Sequence, residues 1–310
     1  MLKRTNKTLV LLIVLCTTMA FAQPGRGHME IPDSLQSLFK DAIKAERGRD
    51  WNTALQLYSE AVAKYPNERG YRGTTIYYGT FQKAKIFADY LNNLDSSLYY
   101  LSFMVRELSG QVDGSYEAEG PVDVAAVQYW AETLDVKRLE TDKRLYYLNA
   151  LKSECDSNSA RAIADIELAA IYYKQTSSKD ADSLLYKIIL GPPSPWGLFK
   201  TSGDFRWSAI KAMAYLGDKH INNEYAIAAI QNIDFDLLEP SLQLVTAFSL
   251  GELYQKAGDS VEAEKWFIWC SNHSDYRPQA DYSFSFGPNW QMVESYWFSR
   301  TLGEKLEELR

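Results

Sequence analysis

From residue 33 onward, apolar residues recur three and four apart, the spacing of one face of a helix. Leu38 and Ala42 are followed, across Gly48 and Asp50, by Ala54, Tyr58, Ala61 and Pro66. Offsets of 4 and 7 from Ala54 share one helical face, and Pro66, at offset 12, ends the helix because proline cannot donate a backbone hydrogen bond. Two helices broken at Gly48 and Asp50 are therefore predicted. The order returns as Leu168, Ala169 and Tyr172, then Ala181, Leu185, Ile188 and Pro193. It returns again as Leu250, Gly251 and Tyr254, then Ala263, Phe267 and Cys270. Between these stretches the periodicity predicts helix pairs over 80–92 with 96–108, 124–134 with 142–152, and 207–215 with 224–233. The first of these turns at residues 92–95 and the last at Gly217 and Asp218. A closing helix is expected over 291–309, with Trp297 and Phe298 inward. No run alternates with period two for long, so no sheet is expected.

The small residues explain why such helices would pair. Two backbones approach closely only where the side chains are small, here Ala42, Ala54, Ala169, Ala181, Gly251 and Ala263. Tyr58, Tyr172, Tyr254 and Phe267 then fill the space toward the next pair. In this the chain resembles the tetratricopeptide repeat family; Leu250, Gly251 and Tyr254, with Ala263 and Phe267 after them, are close to that family's signature. The resemblance implies an all-α, right-handed solenoid of antiparallel helical hairpins over 33–310, about six hairpins plus a C-terminal capping helix. The repeat length departs from the family. Ala54 and Ala181 lie 127 residues apart, and Ala181 and Ala263 lie 82 apart. Neither interval is a multiple of roughly 34 residues.

The family binds on a concave face built from the first helix of each hairpin. Transferred to this chain, that face would present Gln36, Phe39, Ile43, Glu46 and Arg47 in the first recognisable repeat. The second would present Ile163, Ile166, Ala170, Tyr173 and Lys174, and the third Val245, Phe248, Glu252, Gln255 and Lys256. A lining apolar in its middle and charged at one end suits an extended peptide or a partner helix. One branch of the family grips a terminal carboxylate with Lys and Asn. Those positions hold Phe39 and Ile43, Ile166 and Ala170, or Phe248 and Glu252 here, so that use is rejected. The alternative for Phe39, Ile166 and Phe248 is core, covered by neighbouring hairpins.

The first residues change the address. Lys3, Arg4 and Lys7 precede a 14-residue apolar run, Leu9 to Ala22, which ends in Ala20-Phe21-Ala22. That run is shorter than the roughly 20 residues a membrane-spanning helix needs. A basic start, an apolar run and small-x-small form the secretory pattern. Residues 1–22 are thus expected to be a signal peptide cleaved after Ala22, with 23–32 a disordered linker, in an exported protein that is periplasmic or faces the outer envelope. Leu15 before Cys16 speaks against lipidation. Cleavage takes the formal charge from −7 to −10, and an acidic chain repels phosphate backbones, so nucleic acid is not an expected partner. Nothing after Gln23 reads as a second apolar span. Only Cys155 and Cys270 remain, and whether they pair is left open.

Candidate chemistry adds little. No His-Glu-x-x-His, Cys-x-x-Cys or glycine-rich phosphate loop occurs. Ser271, His273 and Asp275 are near in sequence, but a triad must converge in space, which neighbours on one turn rarely do. The acidic stretch with Asp113, Glu117, Glu119 and Asp123 lacks calcium-loop spacing. No metal or other cofactor is expected, and Cys270 reads as a buried thiol. Two readings of function follow. The first is a non-catalytic scaffold or adaptor binding a protein or peptide on its concave face. The second is a glycan-binding accessory protein using aromatic loops at 191–206 and 272–290, because sugar rings stack on flat aromatic faces.

Overall fold

The computed structural model describes residues 31–70, 73–109, 122–193, 204–274, 285–286, 290–291 and 298–309. Among them are thirteen α-helices. The first hairpin pairs α1 (Asp33–Arg47) with α2 (Trp51–Lys64), and the second pairs α3 (Thr75–Lys85) with α4 (Leu94–Glu107). The third joins α5 (Val122–Val136) to α6 (Thr141–Glu154), and the fourth joins α7 (Asn158–Lys174) to α8 (Ser178–Ile189). The fifth and sixth are α9 (Phe205–His220) with α10 (Asn223–Gln231), and α11 (Pro240–Ala257) with α12 (Ser260–Asn272). The last helix, α13 (Phe298–Glu308), packs on α12. Six hairpins and a cap are what the periodicity predicts.

Local signals set the breaks. Asp50, Asn93, Ser157 and Asp259 each cap the following helix with a side-chain oxygen that accepts a backbone N–H three residues on, at 3.0–3.2 Å. Gly258, at φ 81°, closes α11 in the left-handed conformation. At Gly251 a side chain is impossible without movement, because a Cβ there would sit 2.5 Å from the Phe267 ring. This is the small-against-large contact read from the sequence, and Gly79 repeats it against Val62.

Each new first helix packs on both helices of the preceding hairpin from α7 onward, so α5, α7, α9 and α11 form a continuous inner row. The main core runs along that row through Trp130, Tyr173 and Phe205. Smaller cores close the two ends, around Ala42, Ala54 and Tyr58 and around Phe248, Phe267 and Leu302. All ten residues from 162 to 171 are buried, nearly three turns, so α7 has no open face there.

Four expectations need correction. Gly217 does not turn the chain; it lies inside α9, with Ala226 of α10 3.5 Å from where its Cβ would be, and the break comes at Ile221. It serves close helix approach instead. Gln291 is not part of the closing helix, described over Phe298–Glu308; Trp290–Gln291 pairs with Ser285–Phe286 as a two-residue antiparallel ladder. A second short ladder joins Arg69–Gly70 to Gly73–Thr74, so two small two-stranded pairings stand where no sheet was expected. The chain also winds more loosely than expected at Ile86–Tyr90, a π-helical turn continuing α3. The repeat intervals are now explained: Ala54 and Ala181 lie three hairpins apart and Ala181 and Ala263 two, so each step exceeds roughly 34 residues.

Candidate functional site

The apolar groove positions of the middle and last repeats pack on neighbours, while Lys174 and Lys256 at the helix ends stay exposed. Tyr173 is 0% exposed, and its hydroxyl donates to Asp182, which also accepts from the Tyr225 hydroxyl. One carboxylate thus ties α7 and α8 to α10. Ile163, Ile166 and Ala170 are buried beside it. Phe248, 3% exposed, packs on Phe267 at 5.7 Å and lies under the Lys211 ammonium at 4.6 Å. Tyr173 and Phe248 therefore do not line an open face. The physical reason is the small residues of α7, among them Ala162, Ala164, Ala169 and Ala170, which let α5 and α9 close in on it.

The polar members are engaged with each other's helices. Glu252 accepts from Lys211 of α9 at 2.8 Å, Gln255 donates to Glu308 of α13 at 3.0 Å, and Lys256 pairs with Asp218 of α9. Lys174, exposed at the end of α7, lies near Asp135, Arg144, Glu167 and Lys219; partial burial depresses its ammonium pKa. These groups form a charged seam along the C-terminal ends of the first helices. The seam stitches hairpins together.

In the first repeat Phe39 is half-buried, edge-on to Tyr78 at 5.2 Å and tilted against Tyr58 at 6.2 Å. Burial first, then Tyr78 and the nearby Glu46, hold the Tyr58 phenol far above its ordinary range. Gln36 and Arg47 are exposed there. Of the predicted set, then, the structure brings together the third-repeat polar groups and leaves the first-repeat group apart, at the other end of the stack.

Beneath the seam sits one unusual carboxyl. Glu167 of α7 is 4% exposed, beside a small cavity lined by Ala131, Leu134, Arg144, Leu148 and Ile171. Burial pushes its pKa up to about 7, opposed by Arg144 and reinforced by Asp135 and Glu132. Arg144 meanwhile donates to Asp135 at 2.9 Å.

Other candidates resolve as structure. Asp123 is fully buried, accepting from Ser109 at 3.3 Å and from the Val124 amide at 3.0 Å, so it is a core group and not an open calcium ligand. Cys155 and Cys270 are free and buried, and burial pushes both thiols up to about 12. His273 stacks on Trp269 at 4.0 Å. Asp275, Asp113, Glu117, Glu119, Trp297, most of the two aromatic loops and residues 1–30 lie outside the described residues.

A second surface went unpredicted. On α4 and α6, the second helices of neighbouring hairpins, Tyr99 is 70% and Tyr146 65% exposed. Each precedes a tyrosine that turns inward: Tyr100 stacks on Phe87 at 5.7 Å, and Tyr147 packs edge-on to Trp130 at 5.7 Å. The doublets were the available signal, since adjacent helical residues point about 100° apart and both rings cannot be buried on one face.

Small residues on one helix meeting large rings on its partner, in hairpins stacked through their first helices from α5 onward, decide the architecture. The stack is tetratricopeptide-like. No protein-family model matches the chain, and no curated protein matches it closely enough to count. Among solved structures, a tetratricopeptide repeat protein from Parabacteroides merdae ATCC 43184 is similar at 13% identity and a TM-score of 0.31. That alignment covers 89% of this chain and 99% of the other. An overlap this loose says nothing of partner or site in the tetratricopeptide-like stack described here.

Proposed function

We propose that the chain is an exported, non-catalytic scaffold that holds a protein or peptide partner along its stack of hairpins. The observation that supports this best is the contrast between its two helix rows. In the middle of the stack α7 is buried all round from 162 to 171, whereas the second helices α4 and α6 leave Tyr99 at 70% and Tyr146 at 65% in water, each more exposed than Tyr215 of α9 at 45%. Tyrosine is an interface anchor because it offers a large apolar face and a hydroxyl at little conformational cost. A hairpin stack supplies the long, stiff surface such a partner needs. Export is inferred from the basic start, the apolar run and Ala20-Phe21-Ala22, with cleavage after Ala22 and a periplasmic or envelope-facing address. Among the described residues no helix is long and apolar enough to cross a membrane.

The test is expression of the full chain with its own leader in a Gram-negative host, followed by fractionation and N-terminal sequencing. The reading expects a product beginning at Gln23 outside the cytoplasm, and one defined protein retained on it from an envelope extract. A full-length product confined to the cytoplasm defeats the export claim. Retention on a polysaccharide matrix with no protein captured moves the assignment to a glycan-binding accessory protein.

A further inference from the structure

Between α4 and α6 lies an open cleft of about 320 Å³, lined by Asp95, Leu98, Tyr99, Ser102, Arg106 and Glu154. That volume is at the lower end of small-ligand sites. At one end the Tyr147 hydroxyl donates to Asp95 at 3.0 Å. At the other, Arg106 donates to Glu154 at 3.1 Å and to Glu107 at 2.8 Å. Arg106 is the one cation among the lining residues and is shared by two carboxylates, so the rim keeps net negative charge and unfilled acceptors. The Tyr99 ring stands open to water beside them. Its neighbour Tyr100 meets it edge-on at 5.3 Å and lies under the Lys83 ammonium at 4.6 Å. From Asp95 to Arg106 the helix rises about 16 Å, which is roughly five residues of extended chain.

We propose that this cleft binds a short basic peptide segment of the partner in extended form. A Lys or Arg of that segment sits between the Asp95 carboxylate and the face of Tyr99, and an aliphatic neighbour rests on Leu98. Carboxylate and phenol ring both attract a cation, and the phenol prefers one that has shed its water. The excess of acceptors over donors favours this occupant over an acidic segment, which Asp95 and Glu154 would repel. The assignment rests on the partner-binding reading above, and it moves the contact from the first helices to the second.

The test is fluorescence anisotropy of the full chain with a labelled peptide of alternating Lys and Leu, about eight residues long, and with its Glu-for-Lys twin. The parent is expected to bind the Lys peptide and not the twin. Asp95→Asn with Tyr99→Ala should weaken binding about tenfold. Tyr99→Arg, which installs a fixed cation in the cleft, should do the same by an independent route. Asp236→Asn, an equal change of charge on an exposed turn far along the chain, should stay within about twofold of the parent. The proposal is overturned if the cleft variants bind like the parent, or if Asp236→Asn loses as much as they do. It is overturned equally if maltoheptaose, and not the Lys peptide, binds in a Tyr99-dependent way. A partner still retained by the cleft variants sinks the cleft and spares the scaffold; no partner retained by the parent sinks the scaffold itself.

Discussion

Replacing Glu167 by Gln removes a charge that the fold resists and keeps the shape that fills its cavity. The carboxyl is buried on α7, and the groups around it are Arg144 from α6, Asp135 and Glu132 from α5, and Lys174 from its own helix. Its pKa rises from an ordinary 4.5 to about 7, with burial the largest cause. A folded-state value above the unfolded one means the protonated form is favoured by folding. The associated stability is fully present below about pH 4.5 and is lost as pH rises toward 7. Ionising such a group in the native state costs about 3 kcal/mol, at roughly 1.4 kcal/mol per pH unit. The Gln variant carries no such cost. In urea unfolding the variant should therefore gain on the parent by about 2 kcal/mol between pH 5 and pH 8. Differences in other titrations cancel, because parent and variant share them. A gap between the two proteins that stays constant from pH 5 to pH 8 would refute the reasoning, and would mean that Arg144 already compensates the charge.

Further outcomes follow from single contacts. Gly251→Ala forces a methyl into the Phe267 ring and should cost about 1–3 kcal/mol in urea unfolding; a variant as stable as the parent contradicts the packing. Arg206 is buried and bonds Asp204 at 2.7 Å and both oxygens of Glu239 at 2.8 and 3.1 Å, joining the starts of α9 and α11. Arg206→Met leaves the mostly buried Asp204 its bond from the residue-206 amide but removes the guanidinium, and should destabilise by about 2 kcal/mol, discounted because Glu239 is half in water; thermal unfolding reads it. Tyr173→Phe should cost only about 1 kcal/mol and leave partner binding intact, since Asp182 keeps its bond from Tyr225; lost binding in a folded Tyr173→Phe protein would restore Tyr173 to the contact surface. Cys155 and Cys270 should resist a thiol reagent in the native protein at pH 8 and react after unfolding in urea, and fast native labelling would show that either is accessible.

The hairpins were legible because their rule is local. Ala54 with Tyr58, or Gly251 with Phe267, announces a close helix pair within about one turn of each partner, and Asp50 and Asp259 mark where the second helix starts. Which helix faces stay open was not legible, because exposure of a first helix depends on how closely distant hairpins approach it. Ile166 and Ala170 occupy the same pattern positions whether α5 and α9 stand apart or close in, and here they close in. Charge was misleading for the same reason. Glu252, Gln255 and Lys256 read as a polar rim, yet each finds its partner on α9 or α13, some 40 or 50 residues away in the chain. Gly217 was misread as a turn because a glycine that admits a neighbouring helix looks the same in sequence as one that breaks its own. Tyr99 and Tyr146 were visible as halves of doublets, and only the packing of Tyr100 and Tyr147 shows which half faces water.

The most direct test of the account is photo-crosslinking in cells that export the full chain, with benzoylphenylalanine placed at position 99 on α4 or at position 174 on α7. Both sites are exposed, so either can report a neighbour. The account predicts one discrete crosslinked product from position 99 and none from position 174. A product from position 174 with none from position 99 would return the contact to the first helices and contradict it.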